Sequence, residues 1–408
     1  MSADALRPSK LSFAEARHVV EEHARSILPG PSGFVGLREA GRRILAEPVF
    51  ADRDFPAFAR ATRDGYAVRS ADVVRPPALL DVIGEIKAGA LSKLRLEAGQ
   101  AAAIMTGAPL PEGADSVVMV EYTSLEQDQV RVSRPVVCGE NVVPQAAEAK
   151  RGDCLLPSGT RLHYAAIGVA ASAGTARLRV YRQPLVALLP TGDEVVEIEA
   201  VAGPSQIRNS NSYALAAQVE RAGGVPQLLP VACDEPGQLR ELIVRALEAD
   251  LVVLSGGVSM GRYDLVKQVL GELRAEFFFA GVKIQPGGPV AFGRVRGKYF
   301  FALPGNPVST LVTFELFARP LLGALAGMAP QKLRFLHARL QASFTAKTGL
   351  TRFLPAMVSG EFEDTLVAPV PWQGSGDLAS SARSNCYLVV PPDRERFEQG
   401  EWMAVMPR

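Results

Sequence analysis

Leu251-Val252-Val253-Leu254-Ser255-Gly256-Gly257-Val258-Ser259-Met260-Gly261 is the stretch on which the fold turns. A short apolar run passes straight into glycines and serines. A run of that length bounded by a turn reads as a strand buried on both faces. The segment after it, Asp264–Leu273, has helical spacing, with Asp264 in the capping position. Outward from this unit the pattern repeats. Before it come a strand at Leu185–Leu189, a helix at Ser212–Ala222 closed by Gly223-Gly224, a strand at Val225–Val231 and a helix at Gly237–Glu248. After it come a strand at Tyr299–Leu303 and a long helix at Val308–Leu325, which Pro320 should kink or interrupt. Apolar strands alternating with helices imply a doubly wound, mostly parallel sheet over residues 181–328, with ligands beyond the carboxyl ends of its strands.

The texture differs on either side. Leu11–Ser26 reads as an amphipathic helix with Ser12 as N-cap and Glu15 as its capping-box partner. Residues 53–141 alternate short apolar runs with Gly/Pro turns (Ala78–Ile83, Ala101–Met105, Ser116–Val120, Val130–Val132), which predicts a β-rich inserted domain. Residues 11–52 and 142–180 are expected to pair across that insert as a discontinuous connecting domain, and residues 329–408 to form a C-terminal β domain. The fold class is therefore α/β plus β.

The chain's 408 residues exceed one ordinary core. With 44 Lys+Arg against 43 Asp+Glu there is no general basic field, so neither nucleic acid nor a membrane surface is expected as a partner. Cys138, Cys154, Cys233 and Cys386 are far apart and read as reduced thiols, and the scattered histidines offer no zinc pattern. Met1–Lys10 has no apolar signal core, and no uninterrupted apolar run reaches membrane-spanning length, so a soluble, cytoplasmic protein is expected.

Three loops leave the carboxyl ends of the expected sheet: Pro190-Thr191-Gly192-Asp193-Glu194, Ser255–Gly261, and Pro304-Gly305-Asn306-Pro307-Val308-Ser309. Glycines let backbone N–H groups approach an anion closely, and the helix N-terminus after Gly261 adds partial positive charge. The second loop reads as a phosphate cradle, although a plain tight turn has the same composition. It lacks the Walker lysine and the G-x-G-x-x-G spacing, which disfavours P-loop NTPases and NAD enzymes. Asn306 and Pro307 alone would be ordinary helix punctuation. Asp193, Glu194, Asp234 and Asp264 fall at the same rim, where Mg²⁺ would bridge carboxylates to phosphate. The blander readings are an N-cap for Asp264 and a solvated turn acid for Asp234.

Read together, these loops and several other motifs resemble the molybdopterin molybdenumtransferase family over almost the whole chain. The motifs are Asp64-Gly65-Tyr66-Ala67, Met105-Thr106-Gly107-Ala108-Pro109, Pro111-Glu112-Gly113-Ala114-Asp115, Thr191–Glu194, Ser255–Ser259 and Leu303–Ser309. The resemblance implies a molybdopterin-binding α/β domain and an elongated homodimer whose cleft lies between the α/β domain of one subunit and the insert of the other. It implies insertion of molybdate into adenylylated molybdopterin with release of AMP, assisted by Mg²⁺. It assigns Asp64, Thr106, Glu194, Asp234 and Asp264 to catalysis, with Glu194 and Asp264 holding the ion. Gly192, Asp193, Ser255, Gly256, Gly257 and Ser259 would cradle phosphate and pterin, with Pro304, Gly305, Asn306 and Pro307. Ser309, Arg352 and Ser375 would bind molybdate. Where the family often has Lys-Pro-Gly-Lys-Pro, this chain has Gln285-Pro286-Gly287-Gly288-Pro289, and Lys283 is the expected surrogate cation. Where arginines often follow Gly139-Glu140-Asn141, it has Val142-Val143-Pro144-Gln145. The pterin-adenylylating enzyme and recipient molybdoenzymes are the implied protein partners. Competing readings are a paralogue that handles tungstate or adenylylates the pterin, and a non-catalytic scaffold, which would not require the acids.

Overall fold

The computed structural model describes residues 10–89, 93–257 and 265–408. Its centre is a six-stranded sheet in the order Val225–Leu228, Leu185–Pro190, Leu251–Ser255, Lys298–Leu303, Ala291–Val295, Glu276–Ala280. The first four strands are parallel. Side chains alternate along each strand, so every central strand serves two cores. Val186, Leu188, Leu251, Val253, Phe301 and Leu303 pack toward the helices Ser210–Ala222 and Pro307–Thr313. Ala187, Leu189, Val252, Leu254, Phe300 and Ala302 pack toward Pro236–Ala246 and Leu265–Glu272. This two-sided burial is why the strands read as continuous apolar runs.

Two strands missing from the sequence reading, Glu276–Ala280 and Ala291–Val295, extend the sheet antiparallel. The second joins Lys298–Leu303 through Arg296 (φ 49°) and Gly297 (φ 80°), both left-handed, as a two-residue hairpin turn requires.

The helix at Pro307–Leu325 is interrupted as expected of Pro320, but it is continuous in space. An α-helical segment, Pro307–Thr313, gives way to a π turn at Phe314–Ala318 and resumes at Arg319–Leu325. Pro320 has no N–H to give to the preceding turn. Arg17, on the first helix Phe13–Ser26, fills the gap: its Nη1 donates to the carbonyl of Leu316 at 2.7 Å, while Nη2 holds Glu21 at 2.5 Å. Arg17 is 7% exposed, and burial holds its guanidinium below the usual range, against the pull of Glu21. The first helix, capped by the Ser12–Glu15 box, is thereby fixed to the α/β body, with Ala16 and Val20 in its core. By length and composition Pro307–Leu325 could cross a membrane, but 78% of it is buried inside the protein, as for a core helix.

Ser32–Gly36 pairs antiparallel with Arg177–Tyr181, and Val49–Phe50 with Cys154–Leu156, around a core that includes Leu45, Leu162 and Val180. Between these segments lies a second six-stranded sheet. Within it Gly65 passes so close to a neighbouring strand that a Cβ would sit 1.8 Å from the Val118 carbonyl oxygen. The C-terminal strands close on themselves: Thr351–Ser359 pairs with both Leu366–Pro369 and Cys386–Val390, which makes a small barrel. Ile284–Gln285, from the α/β body, adds a parallel strand to that barrel and sets Gln285 opposite Arg352.

Arg17→Met should lower unfolding stability by about 2 kcal/mol, because a charged donor to a buried carbonyl is lost. The loss should shrink in a Pro320→Ala background, where a backbone N–H is restored. Urea melts of the two single variants and the double variant measure it.

Candidate functional site

Beyond the carboxyl ends of the parallel strands, the turns press on one another. Thr191 N–H donates to the Ser255 carbonyl at 2.9 Å and Gly192 N–H to Ala232 at 3.1 Å. Gly256 (φ 98°) and Gly257 (φ 65°) follow, both left-handed. A Cβ on Gly256 would fall 2.4 Å from the Thr191 carbonyl oxygen; one on Gly257 would fall 2.5 Å from Val266 Cγ2 and 2.8 Å from Thr191 Oγ1. Gly305, from the third loop, backs onto the Gly256 Cα at 3.4 Å from its own would-be Cβ. Gly256 and Gly257 exclude side chains, which leaves a bare backbone that a ligand can approach closely, although Gly256 N–H is itself spent on the Leu303 carbonyl at 3.1 Å.

The turns enclose a crevice lined by Thr191, Glu194, Ser255, Gly305 and Pro307. All three sequence-identified loops therefore meet. Thr191 Oγ1 is buried and has no hydrogen-bond partner among the described residues. Ser259 and Asp264 lie outside the described residues.

One wall was missed by the sequence reading. Arg208, Asn209 and Asn211 line the same crevice at the start of Ser210–Ala222. Asn209 caps that helix by accepting from Ser212 N–H at 3.2 Å, and Asn211 Nδ2 donates to the Gly305 carbonyl at 2.7 Å. The signal was the Asn-Ser-Asn-Ser run, which composition alone reads as a cap.

The acids gather at the rim. Asp234 N–H donates to Asp193 Oδ1 at 2.9 Å. Burial first, then the charges of Asp193 and Glu194, push the Asp234 carboxyl above its usual range. Among the described residues no three His, Cys, Asp or Glu side chains converge closely enough to cage a metal ion.

Other predicted residues are spread along the seam between the α/β body and the barrel, and of these Asn306 and Ser375 are in direct contact. Asn306 begins the helix Pro307–Thr313 but makes no side-chain cap, contrary to expectation; its Nδ2 donates to Ser375 Oγ at 2.9 Å, 69 residues away. Val308 N–H donates to the Ser375 carbonyl at 3.0 Å. Ser309, 4% exposed, lies beside Gly287, whose Cβ would sit 3.4 Å from the Ser309 carbonyl oxygen. Arg352, 8% exposed, uses Nη1 on the carbonyls of Leu350 (3.2 Å) and Lys347. Its Nε and Nη2 have no hydrogen-bond partner among the described residues, so part of its fork is available. Lys283 and Gln285 are both exposed on either side of buried Ile284, the alternation of a strand. Ser12 hydrogen bonds, and to a smaller degree Lys283, hold the Glu15 carboxyl below its usual range. The Lys283 ammonium thus has a carboxylate near it as well.

Asp64 and Thr106 are together but elsewhere. Thr106 donates to Asp64 Oδ1 twice, from N–H at 2.6 Å and from Oγ1 at 2.8 Å, and these bonds lower the Asp64 carboxyl's pKa. Both are exposed at one end of the insert sheet, and neither lines the crevice.

Gly256→Ala should cost more than about 2 kcal/mol, since both the φ and the Thr191 carbonyl oppose a Cβ. Gly305→Ala, with ordinary contact distance, should cost under about 1 kcal/mol; urea denaturation separates the two. Asp234 titrates with the opposite sign to a paired acid. Because its folded pKa is raised, its ionisation destabilises the protein as pH rises through that pKa. Asp234→Asn should therefore raise stability at neutral pH, and the gain should vanish below about pH 4, where the acid is protonated in both states. Melting curves across that range test it.

Comparison with known proteins accords with this geometry. Residues 11–174 match the MoeA N-terminal region (domain I and II), 187–324 a probable molybdopterin binding domain, and 337–407 the MoeA C-terminal region (domain IV). A molybdopterin molybdenumtransferase of Nostoc sp. is 38% identical over 387 residues, spanning 91% of this chain and 88% of that one. The Bacillus subtilis protein of the same name is 32% identical over 92% of this chain and 90% of its own. The crystal structure of a molybdopterin biosynthesis moeA protein from Pyrococcus horikoshii superposes with a TM-score of 0.78 at 29% identity, covering 98% of this chain and 100% of that one. The chain belongs to the molybdopterin molybdenumtransferase family.

Proposed function

We propose that this protein inserts molybdate into adenylylated molybdopterin and releases AMP, the last step of molybdenum cofactor biosynthesis. The observation that carries the reading is the direct link between crevice and seam. Asn306 follows Gly305 of the crevice and hydrogen-bonds Ser375 of the barrel. An anion among Ser309, Ser375 and Arg352 would thus lie beside a phosphate-bearing ligand held over Ser255 and Gly305. Backbone N–H groups of the glycine turns would hold the phosphates, the orphaned Thr191 hydroxyl would gain a partner, and Asn211 would fix the third loop. Arg352 would present its free donors to the oxyanion.

The rim fits a magnesium ion that arrives with the substrate rather than one resident in a protein cage. Burial raises the Asp234 pKa first and the charges of Asp193 and Glu194 raise it further, which marks a local excess of negative charge, and Mg²⁺ is commonly held by one or two carboxylates plus phosphate oxygens. Glu194, with Asp264, would hold it, and Asp193 and Asp234 would add to its field. When bound, the ion would offset charge on the phosphates. Asp64 and Thr106 would complete the site from a second copy in a homodimer, because within one chain they stand apart from the crevice. Soluble, cytoplasmic action and contact with the pterin-adenylylating enzyme and recipient molybdoenzymes belong to the same proposal.

Purified protein incubated with adenylylated molybdopterin, molybdate and Mg²⁺ should release AMP. Arg352→Gln should raise the half-saturating molybdate concentration about tenfold or more, the effect of losing a charged hydrogen bond. Lys283→Gln should raise it less, because Lys283 is exposed and solvent ions screen its charge. No AMP release by the unaltered protein, or unchanged molybdate dependence in Arg352→Gln, would refute the assignment.

A further inference from the structure

Away from the crevice, and sharing no lining residue with it, is a cavity of about 630 Å³. It lies where four parts of the chain meet: the end of the first helix (Arg25), the connecting segment (Arg161), the helices of the α/β body (Arg221, Arg319) and the linker with the last strand (Lys332, Arg334, Arg408). Two carboxylates line it, and both are committed. Glu21 holds Arg17 at 2.5 Å, and Glu315, 4% exposed, holds Arg221 and, at 2.9 Å, Arg319. Arg25, Arg161, Lys332, Arg334 and Arg408 have no ion pair among the described residues. Arg161 spends one Nη2 bond on the Arg221 carbonyl at 2.7 Å, and Arg408 spends its Nη2 on Ser381 and Ser384. Burial, and then the neighbouring Arg42, Arg319 and Arg221, hold the Arg161 guanidinium below its usual range, and the single Glu315 carboxylate is shared by two of those cations. Elsewhere on this chain the exposed arginines are commonly paired with acids, as in Arg131–Glu126 and Arg240–Glu272. Most of the remaining wall is apolar, with Ala222, Met328, Pro330, Leu333 and Met406.

We propose that this cavity is a second anion site, built for an organic phosphate bearing at least two negative charges. Guanidinium forks suit phosphate oxygens, and the volume and apolar wall suit the organic part. A bound phosphate would neutralise the uncompensated cations. It would also join the linker that carries the barrel to the connecting segment, which Ala329 already touches through N–H to the Gly159 carbonyl at 3.3 Å.

The test is calorimetric titration of the full chain with ATP, pyrophosphate and orthophosphate in a chelating buffer, where without a divalent cation the acidic rim repels phosphate from the crevice. ATP should bind at one site, more tightly than pyrophosphate, and weaken as salt rises. Arg161→Gln and Arg334→Gln should each weaken ATP binding about tenfold, and Asn211→Ala, in the crevice, should leave it unchanged. Arg334 is exposed on the linker, so its replacement tests the site even if Arg161→Gln unfolds the protein. An isotherm unaltered by Arg334→Gln, loss of binding in Asn211→Ala, pyrophosphate binding as tight as ATP, or no saturable binding would each overturn the proposal.

Discussion

Thr191 lies against Gly256 with its backbone carbonyl and against Gly257 with its hydroxyl, with no room for a Cβ on either glycine. That close approach is the constraint on which the functional end of the molecule depends. It locks the turn after Leu185–Pro190 to the turn after Leu251–Ser255, and Gly305 rests the third turn on Gly256 in ordinary contact. Three turns that would otherwise be separate surface loops become one floor. A floor of bare backbone needs no side-chain ordering when a ligand arrives, which is how a polar site keeps its entropic cost low.

The floor would have little purpose without a second wall, and the chain supplies one by borrowing across domains. Ile284–Gln285 leaves the α/β body and joins the barrel as a strand, and Asn306 reaches Ser375 in the opposite direction. With Val308 bonded to the Ser375 carbonyl, the barrel is held at both the strand and the helix end of the seam. Arg352, opposite Gln285, is therefore positioned by the α/β body although it belongs to the barrel. The arrangement accounts for the glycine at 287: a Cβ there would strike Thr313 at 2.3 Å, so the turn can pack on the helix only without one.

Much of this was legible locally. The Ser12–Glu15 capping box and the apolar strands are short-range patterns, and each forms as its residues suggest. What failed to show was decided at long range. Asn306 looked like a cap because its neighbours are those of a cap, but its amide is taken by a residue of another domain. Asn211 drew no reading because nothing nearby in sequence reveals Gly305, its partner. The strands Glu276–Ala280 and Ala291–Val295 were hidden because the first is an aromatic run after a helix, and only the Arg296–Gly297 hairpin pairs the second back onto the sheet. Arg17 is the clearest case: an arginine on an otherwise amphipathic helix, whose partner is a carbonyl freed by a proline some three hundred residues later.

Charge follows the same logic of local excess under global balance. The formal net charge is +1, which on its own excludes any strong field. Yet acids collect at the crevice rim, where Asp193, Glu194 and Asp234 crowd each other, and arginines collect in the second cavity, where Arg161 sits with Arg221 and Arg319. Neither excess stabilises the fold. Each disfavours the charged form of a group that is partly buried, and each would be relieved by a ligand of opposite sign. A chain that separates its charges this way holds two sites destabilised in the empty state, and binding at either would return that energy as affinity.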